Sequence, residues 1–352
     1  MKHDYIELID RLASAPGASG FEDAVVEQAR QYCAGFADTR ENSIRNLYIH
    51  RRRNTGTRPV VMLDAHSDEV GFMVKAINPN GTLSFITLGG IHAERHEGQR
   101  VKVRTADGTY VPGLISCRPP HFAKDGGQSD PLVVDVGAVS DQEAREVFGI
   151  RVGEPIVPDV PFYFDEQKGL IYTKALDCRI GCAALIAVME QLQDEELAVD
   201  VEGALTSQEE IGDRGAVVAA RTLQPKAAIV FEGAPADDTF AAPQEIQTAL
   251  RKGPMLRLID NSMVTNPRFA RFATELAEKE GIPVQIAVRS GGGTNGGCIH
   301  IVGDSIPVIV ISVPVRYIHS PGCIAAYEDF DNAVKLAVSV LRHLDEETIS
   351  GF

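Results

Sequence analysis

Several strand-length apolar runs in this 352-residue chain stop at a histidine or a carboxylate, and that pattern limits what the chain can fold into. Val60-Val61-Met62-Leu63 runs into Asp64-Ala65-His66-Ser67-Asp68. The Val201–Leu205 stretch precedes Glu209-Glu210, Ile229-Val230-Phe231 leads to Glu232, and the run ending near Val313 precedes His319. Short apolar runs read as buried strands, and open α/β sheets build their sites at the carboxyl ends of such strands. Strands are predicted at Asp200–Leu205, Ala227–Phe231, Pro283–Ala287 and Pro307–Val313. Helices are predicted at Arg179–Gln193, Arg214–Arg221, Pro267–Lys279 and Asp331–Leu344. Near the N-terminus, Ile6, Leu8, Ile9 and Leu12 keep helical spacing from Tyr5 to Ala13. The breakers Ala15-Pro16-Gly17-Ala18-Ser19-Gly20 end that helix, and a second is predicted from about Glu22 to Phe36, its start signalled by Ser19 and Glu22-Asp23.

Between residues 71 and 165 the texture changes to short alternating segments such as Val101-Lys102-Val103-Arg104, broken by Gly, Pro and Asp. This predicts an all-β module with one helix near Asp141 to Phe148. Strand–helix alternation on both sides of it predicts one α/β domain, residues 1–70 and 166–352, interrupted by a β domain at 71–165. A net charge of 34 − 49 = −15 disfavours nucleic acid and anionic membrane as partners. No apolar run approaches the ~20 residues of a membrane span, and Met1-Lys2-His3-Asp4-Tyr5 lacks the apolar core of a signal peptide. Six unpaired-looking cysteines fit a reducing compartment, so a cytoplasmic location is expected. Cys178 and Cys182, four apart on a predicted helix, read as small buried residues, since no second pair completes a metal set.

Seven residues stand where chemistry is expected: His66, Asp68, Asp177, Glu209, Glu210, Glu232 and His319. Alone, each has an ordinary explanation. Asp177 would cap a helix, Glu209-Glu210 would be a solvated pair, and either histidine a hydrogen-bonded core residue. Together, histidines and carboxylates ending separate strands form a mixed N/O donor set suited to zinc or a related divalent ion.

Five ordered motifs carry a resemblance over nearly the whole chain. They are Ala65-His66-Ser67-Asp68-Glu69-Val70-Gly71-Phe72, Ala175-Leu176-Asp177-Cys178-Arg179-Ile180-Gly181-Cys182, Gln208-Glu209-Glu210-Ile211-Gly212, Arg214-Gly215-Ala216 and Arg316-Tyr317-Ile318-His319-Ser320-Pro321. They resemble the dinuclear metallo-aminopeptidases of the tetrahedral (TET) type, a family that also carries the labels glutamyl aminopeptidase and cellulase or endoglucanase. The resemblance implies a mixed-sheet α/β/α zinc-peptidase-like domain carrying the inserted β domain. It also implies two divalent ions per subunit, Zn²⁺ or else Co²⁺ or Mn²⁺, bridged by Asp177. His66 and Glu232 would complete one site, Glu210 and His319 the other. Glu209 would be the general base for a metal-bridged water, and Asp68 would orient His66. The substrates would be short peptides cleaved at their N-terminus, and the β domains would build a twelve-subunit tetrahedral homo-oligomer.

Some residues depart from that pattern. Glu232 stands where many relatives have Asp. Asn295, in Gly291-Gly292-Gly293-Thr294-Asn295-Gly296, replaces the acid of a Gly-Gly-Thr-Asp loop near the substrate, which is expected to alter substrate recognition or amine binding. Arg316 is a candidate substrate contact, and His92, His96 and His121 are candidates for shaping a composite pocket. Two other functions remain open at this point. A glycoside hydrolase would use paired carboxylates, although the chain has no Trp and 6% aromatic residues. A weakly active metal-bound assembly scaffold would explain the two departures.

Overall fold

The computed structural model describes residues 5–122 and 131–352; the predicted lack of a leader at Met1–Asp4 lies outside them. Among the described residues an 11-stranded mixed sheet forms the larger body. Its centre is parallel, with Asp200–Thr206, Val60–His66, Ala227–Pro235 and Val308–Arg316 side by side. Antiparallel strands extend both flanks, including the hairpin Ala37–Glu41 and Leu47–Arg51 and the pair Tyr163–Asp165 and Leu170–Thr173.

Side chains alternate between the two faces, as the strand repeat of two requires. Val61, Leu63 and Ala65 enter a core with the helices Ile6–Ser14, Leu176–Gln191 and Tyr327–His343. Met62, Ala228 and Val230 face the helices Arg214–Leu223 and Asn295–Ile299. Helix Leu176–Gln191 is buried nearly all round, which is why its sequence is apolar on every side. The second predicted helix forms over Asp23–Cys33, but Ser19 does not start it. Its hydroxyl donates instead to Asp68 Oδ2 at 2.5 Å, a charge-assisted bond that outcompetes a neutral cap.

After His66 the chain leaves the sheet and closes a six-stranded antiparallel barrel, from Gly71–Ile77 to Pro155–Pro158. Phe72, Val74, Val101, Ile115 and Val134 fill it, and the predicted helix appears as Asp141–Glu146, capped by Ser140. The crossing between the two bodies is pinned by Glu69. Its carboxylate accepts from Lys174 Nζ at 2.6 and 2.7 Å and from the Gly17 N–H at 3.1 Å, with Arg179 Nη2 at 3.5 Å. Glu69, Lys174 and Arg179 are all buried. Removing one partner of a buried pair strands the other charge, so Lys174→Met is expected to cost about 3–5 kcal/mol of stability. Unfolding midpoints measure this, and Glu69→Gln added to Lys174→Met should recover much of the loss.

Candidate metal centre

The seven candidate residues converge at the carboxyl ends of the central parallel strands. His66 is the last residue of its strand, and its register partner is Thr206, just ahead of Glu209-Glu210. Glu232 lies inside Ala227–Pro235, on the same sheet face as Ala228 and Val230. His319 follows Val308–Arg316 in a turn with φ 56°. Asp177 lies in the first turn of Leu176–Gln191 with non-helical angles (φ −85°, ψ 106°). Its carboxylate is engaged by two histidines rather than by the N–H groups of the helix.

Asp177 stands between the two histidines. Its Oδ1 is 3.1 Å from His66 Nε2 and its Oδ2 is 3.2 Å from His319 Nε2. Glu232 Oε2 lies 3.6 Å from His66 Nε2, Glu210 Oε1 3.3 Å from His319 Nε2, and Glu209 Oε2 3.9 Å from His66 Nε2. Asp68 Oδ1 is 3.3 Å from His66 Nδ1, and the same carboxylate accepts from the N–H groups of Glu209 and Glu210. Asp68 thus ties His66 to the loop that carries both glutamates. His319 Nδ1 donates to the Gly90 carbonyl, in the barrel, at 3.1 Å.

The electrostatics follow from this crowding of acids. Burial alone would raise Asp177, but hydrogen bonds from His319 and His66 hold it well below the usual carboxylate range. Burial would likewise lower both histidines. The surrounding carboxylates outweigh it, pushing His66 well above its ordinary value and His319 to about 11. Burial and the neighbouring acids Glu232 and Glu210 push Glu209 well up. Such a cluster calls for cations. Among the described residues Glu232 Oε1 is buried without a donor, and Glu210 Oε1 faces His319 without hydrogen-bond geometry. Buried acceptors are ordinarily satisfied, and hard oxygen donors with imidazole nitrogens suit a divalent ion. The donor atoms of Asp177, Glu210 and His319 lie within 4.8 Å of one another, as do those of His66, Asp177, Cys178 and Glu232. The residues present therefore fit divalent metals. Cys178 gives its thiol hydrogen to the Phe231 carbonyl and Cys182 to that of His66, and both are buried.

A cavity of about 710 Å³ opens from these residues, with Arg257, Arg289 and the loop Ser290–Thr294 in its lining. Sequence reasoning missed the two arginines, because nothing local marks Arg257 in the middle of the strand Met255–Ile259 or Arg289 just after Gln285–Val288. Asn295 does not face substrate. It is 1% exposed, and its amide donates to Asp64 and Thr206. Arg316 makes a two-point pair with Asp238 at 2.9 and 2.7 Å and is not part of the cavity lining. His96 packs edge-on against Phe72 and bonds the His92 carbonyl, while His121 is exposed on a short turn. Among the described residues none of these three histidines joins a ligand group.

Comparison with known proteins agrees with this geometry. Residues 46–336 match the peptidase family described as M42 glutamyl aminopeptidase. The chain is 33% identical to a lysyl aminopeptidase of Pyrococcus furiosus, covering 96% of this chain and 97% of that protein. It superposes with TM-score 0.93 on a TET aminopeptidase from a marine sediment thaumarchaeon, at 36% identity and 99% coverage of both chains. A Pyrococcus horikoshii TET1 peptidase, described as able to assemble into a tetrahedron or a large octahedral shell, gives TM-score 0.85 at 32% identity, covering 96% of this chain and 99% of that one. A match this long, together with two histidines and five acids gathered at the strand ends, makes the chain a member of the M42 family and a metallo-aminopeptidase.

Proposed function

We propose that the protein removes N-terminal residues from short peptides with two divalent ions per subunit, and that Asp177 is shared between them. The observation that carries this is the placement of Asp177, with one carboxylate oxygen toward each histidine. His66 and Glu232 would hold one ion, His319 and Glu210 the other. When bound, a metal pair supplies Lewis acidity, lowering the pKa of water and polarising the scissile carbonyl. The rest falls to the protein. Glu209 takes the proton from the attacking water on its carboxylate and passes it to the leaving amine. Asp68 fixes the His66 ring through Nδ1. The free α-amine of the substrate is held by the excess of carboxylates, which favours exopeptidase cleavage.

Zinc is the expected ion, with cobalt or manganese as substitutes. Turnover should follow when each is restored to chelated protein. An absence of turnover on every aminoacyl and short-peptide substrate, under every metal, would overturn the reading, and N-acetylated peptides should resist cleavage. The glycosidase alternative is weaker, because no Phe, Tyr or Trp lines the cavity among the described residues. The scaffold alternative is weaker because Glu209 faces the cavity beside the ligand set. Residues 71–165 serve as the assembly and pocket-shaping domain, with 1–70 and 166–352 forming the catalytic one. Assembly as a tetrahedral dodecamer in the cytoplasm is expected, and native mass spectrometry tests the oligomer.

One wall of the otherwise acidic cavity offers Arg257 to an acidic N-terminal side chain. Arg257 keeps Nη1 on Asp260, while its Nε is buried without an acceptor. Arg289 lines the same wall but is already engaged, its Nη2 donating to Thr248 Oγ1, the Pro235 carbonyl and Asp237. Removing a hydrogen-bonded charge commonly costs about 1.5–3 kcal/mol. Arg257→Met is therefore expected to lower kcat/KM for glutamyl and aspartyl substrates roughly 10–100-fold. Neutral substrates should lose less, since for them only the tether to the Gly293 carbonyl is removed. An equal loss across a panel of aminoacyl substrates would remove Arg257 from specificity.

A further inference from the structure

Asp64 is fully buried on the Val60–His66 strand, two residues before His66 and on the same face of the sheet. Neutral side chains serve both of its oxygens. Thr206 Oγ1 donates to Oδ1 at 3.0 Å and Asn295 Nδ2 to Oδ2 at 2.8 Å; the same amide also donates to Thr206 Oγ1 at 2.9 Å. The trio joins three separate elements. Thr206 ends the strand beside His66, and its carbonyl accepts from the Ser67 N–H. Asn295 begins the short helix that follows the glycine-rich cavity wall Ser290–Thr294. That wall is otherwise tethered to Arg257, whose Nη1 reaches the Gly293 carbonyl at 3.4 Å.

We propose that Asp64 and Asn295 act as one positioning pair, tying the glycine-rich wall of the substrate cavity to the strand that carries His66. The pairing explains the amide at 295. With an acid already on the strand, residue 295 must donate, and a second acid there would set carboxyl against carboxyl in a buried space. Neither residue touches the cavity, so each acts through the wall's position, and the first effect belongs on KM. The inference rests on the peptidase reading only for its kinetic part.

The test is a double-mutant cycle on the metal-loaded protein. Asn295→Asp is expected to raise KM for a good substrate roughly tenfold, with kcat moving less, and to lower the unfolding midpoint. Asp64→Asn combined with Asn295→Asp restores an acid–amide pair, and should bring KM within about threefold of wild type and recover most of the midpoint. Asn295→Ala, which removes the donor without adding an acid, should raise KM with a smaller loss of midpoint than Asn295→Asp. A double variant no better than Asn295→Asp would overturn the pairing. Single variants that lower the midpoint at unchanged KM would overturn the positioning role. The midpoint cycle needs no substrate, so a wild-type protein without peptidase activity would sink the functional reading and leave the pair tested.

Discussion

Exchanging Glu209 for Gln is expected to lower kcat by roughly 10²–10⁴-fold and to leave bound metal at the wild-type level. Gln keeps the size and the hydrogen-bonding reach but cannot take a proton from water. Asp68 holds Glu209 by its backbone N–H, so that contact survives the exchange. In the metal-free protein burial and then the acidic neighbours raise the proton affinity of Glu209, and bound cations would bring it down toward a carboxylate able to accept a proton. Steady-state rates with metal analysis of the same sample decide the matter. Retained activity would remove Glu209 from the role of base. Joint loss of activity and metal would make it a ligand, a placement it could reach since its carboxylate groups with His66 and Glu210.

Chelation is expected to abolish turnover and to make stability depend steeply on pH. In the metal-free protein His319 holds its proton up to about 11, because Asp177 and Glu210 outweigh the opposing effect of burial. A folded-state value raised above the ordinary 6.5 gives stabilisation that is fully present below about 6.5. It declines as pH climbs through about 11. His66 shifts in the same direction. Metal-free protein should therefore melt at lower temperature at pH 10 than at pH 7. With metal, the imidazoles serve as neutral donors and the dependence flattens. The gap in Tm between loaded and metal-free protein should widen as pH rises, and metal binding should release protons, seen as a buffer-dependent binding enthalpy. A gap that stays constant or narrows would contradict competition between protons and metal at these groups.

Much of this was legible because strand periodicity and end position are local properties. Val60–His66 and Ala227–Pro235 announce themselves as apolar runs, and the residues that end or follow such runs include His66, Glu210, Glu232 and His319. Asp177 was legible as a residue, but its departure from helical angles was not. The hairpin Ala37–Glu41 and Leu47–Arg51 went unseen because its charged side chains obscure the alternation. Pairings between distant elements carry no local signal. Glu69 with Lys174 and Asp64 with Asn295 lie 105 and 231 residues apart, and each residue alone reads as a polar side chain facing water. Arg257 and Arg289 fall to the same difficulty, since only the fold turns them toward the cavity that Asp177 opens.

The bond from His319 Nδ1 to the Gly90 carbonyl links the barrel domain to the proposed ion site. With Nδ1 committed as a donor, Nε2 is the nitrogen left with a lone pair toward Asp177 and Glu210. In the proposed assembly, whatever fixes the barrel against its neighbours would also fix that tautomer, so dilution and metal loading would become linked equilibria. Subunits separated by dilution should then require more free metal for half-occupancy of the His319 site, and adding metal should in turn favour reassembly.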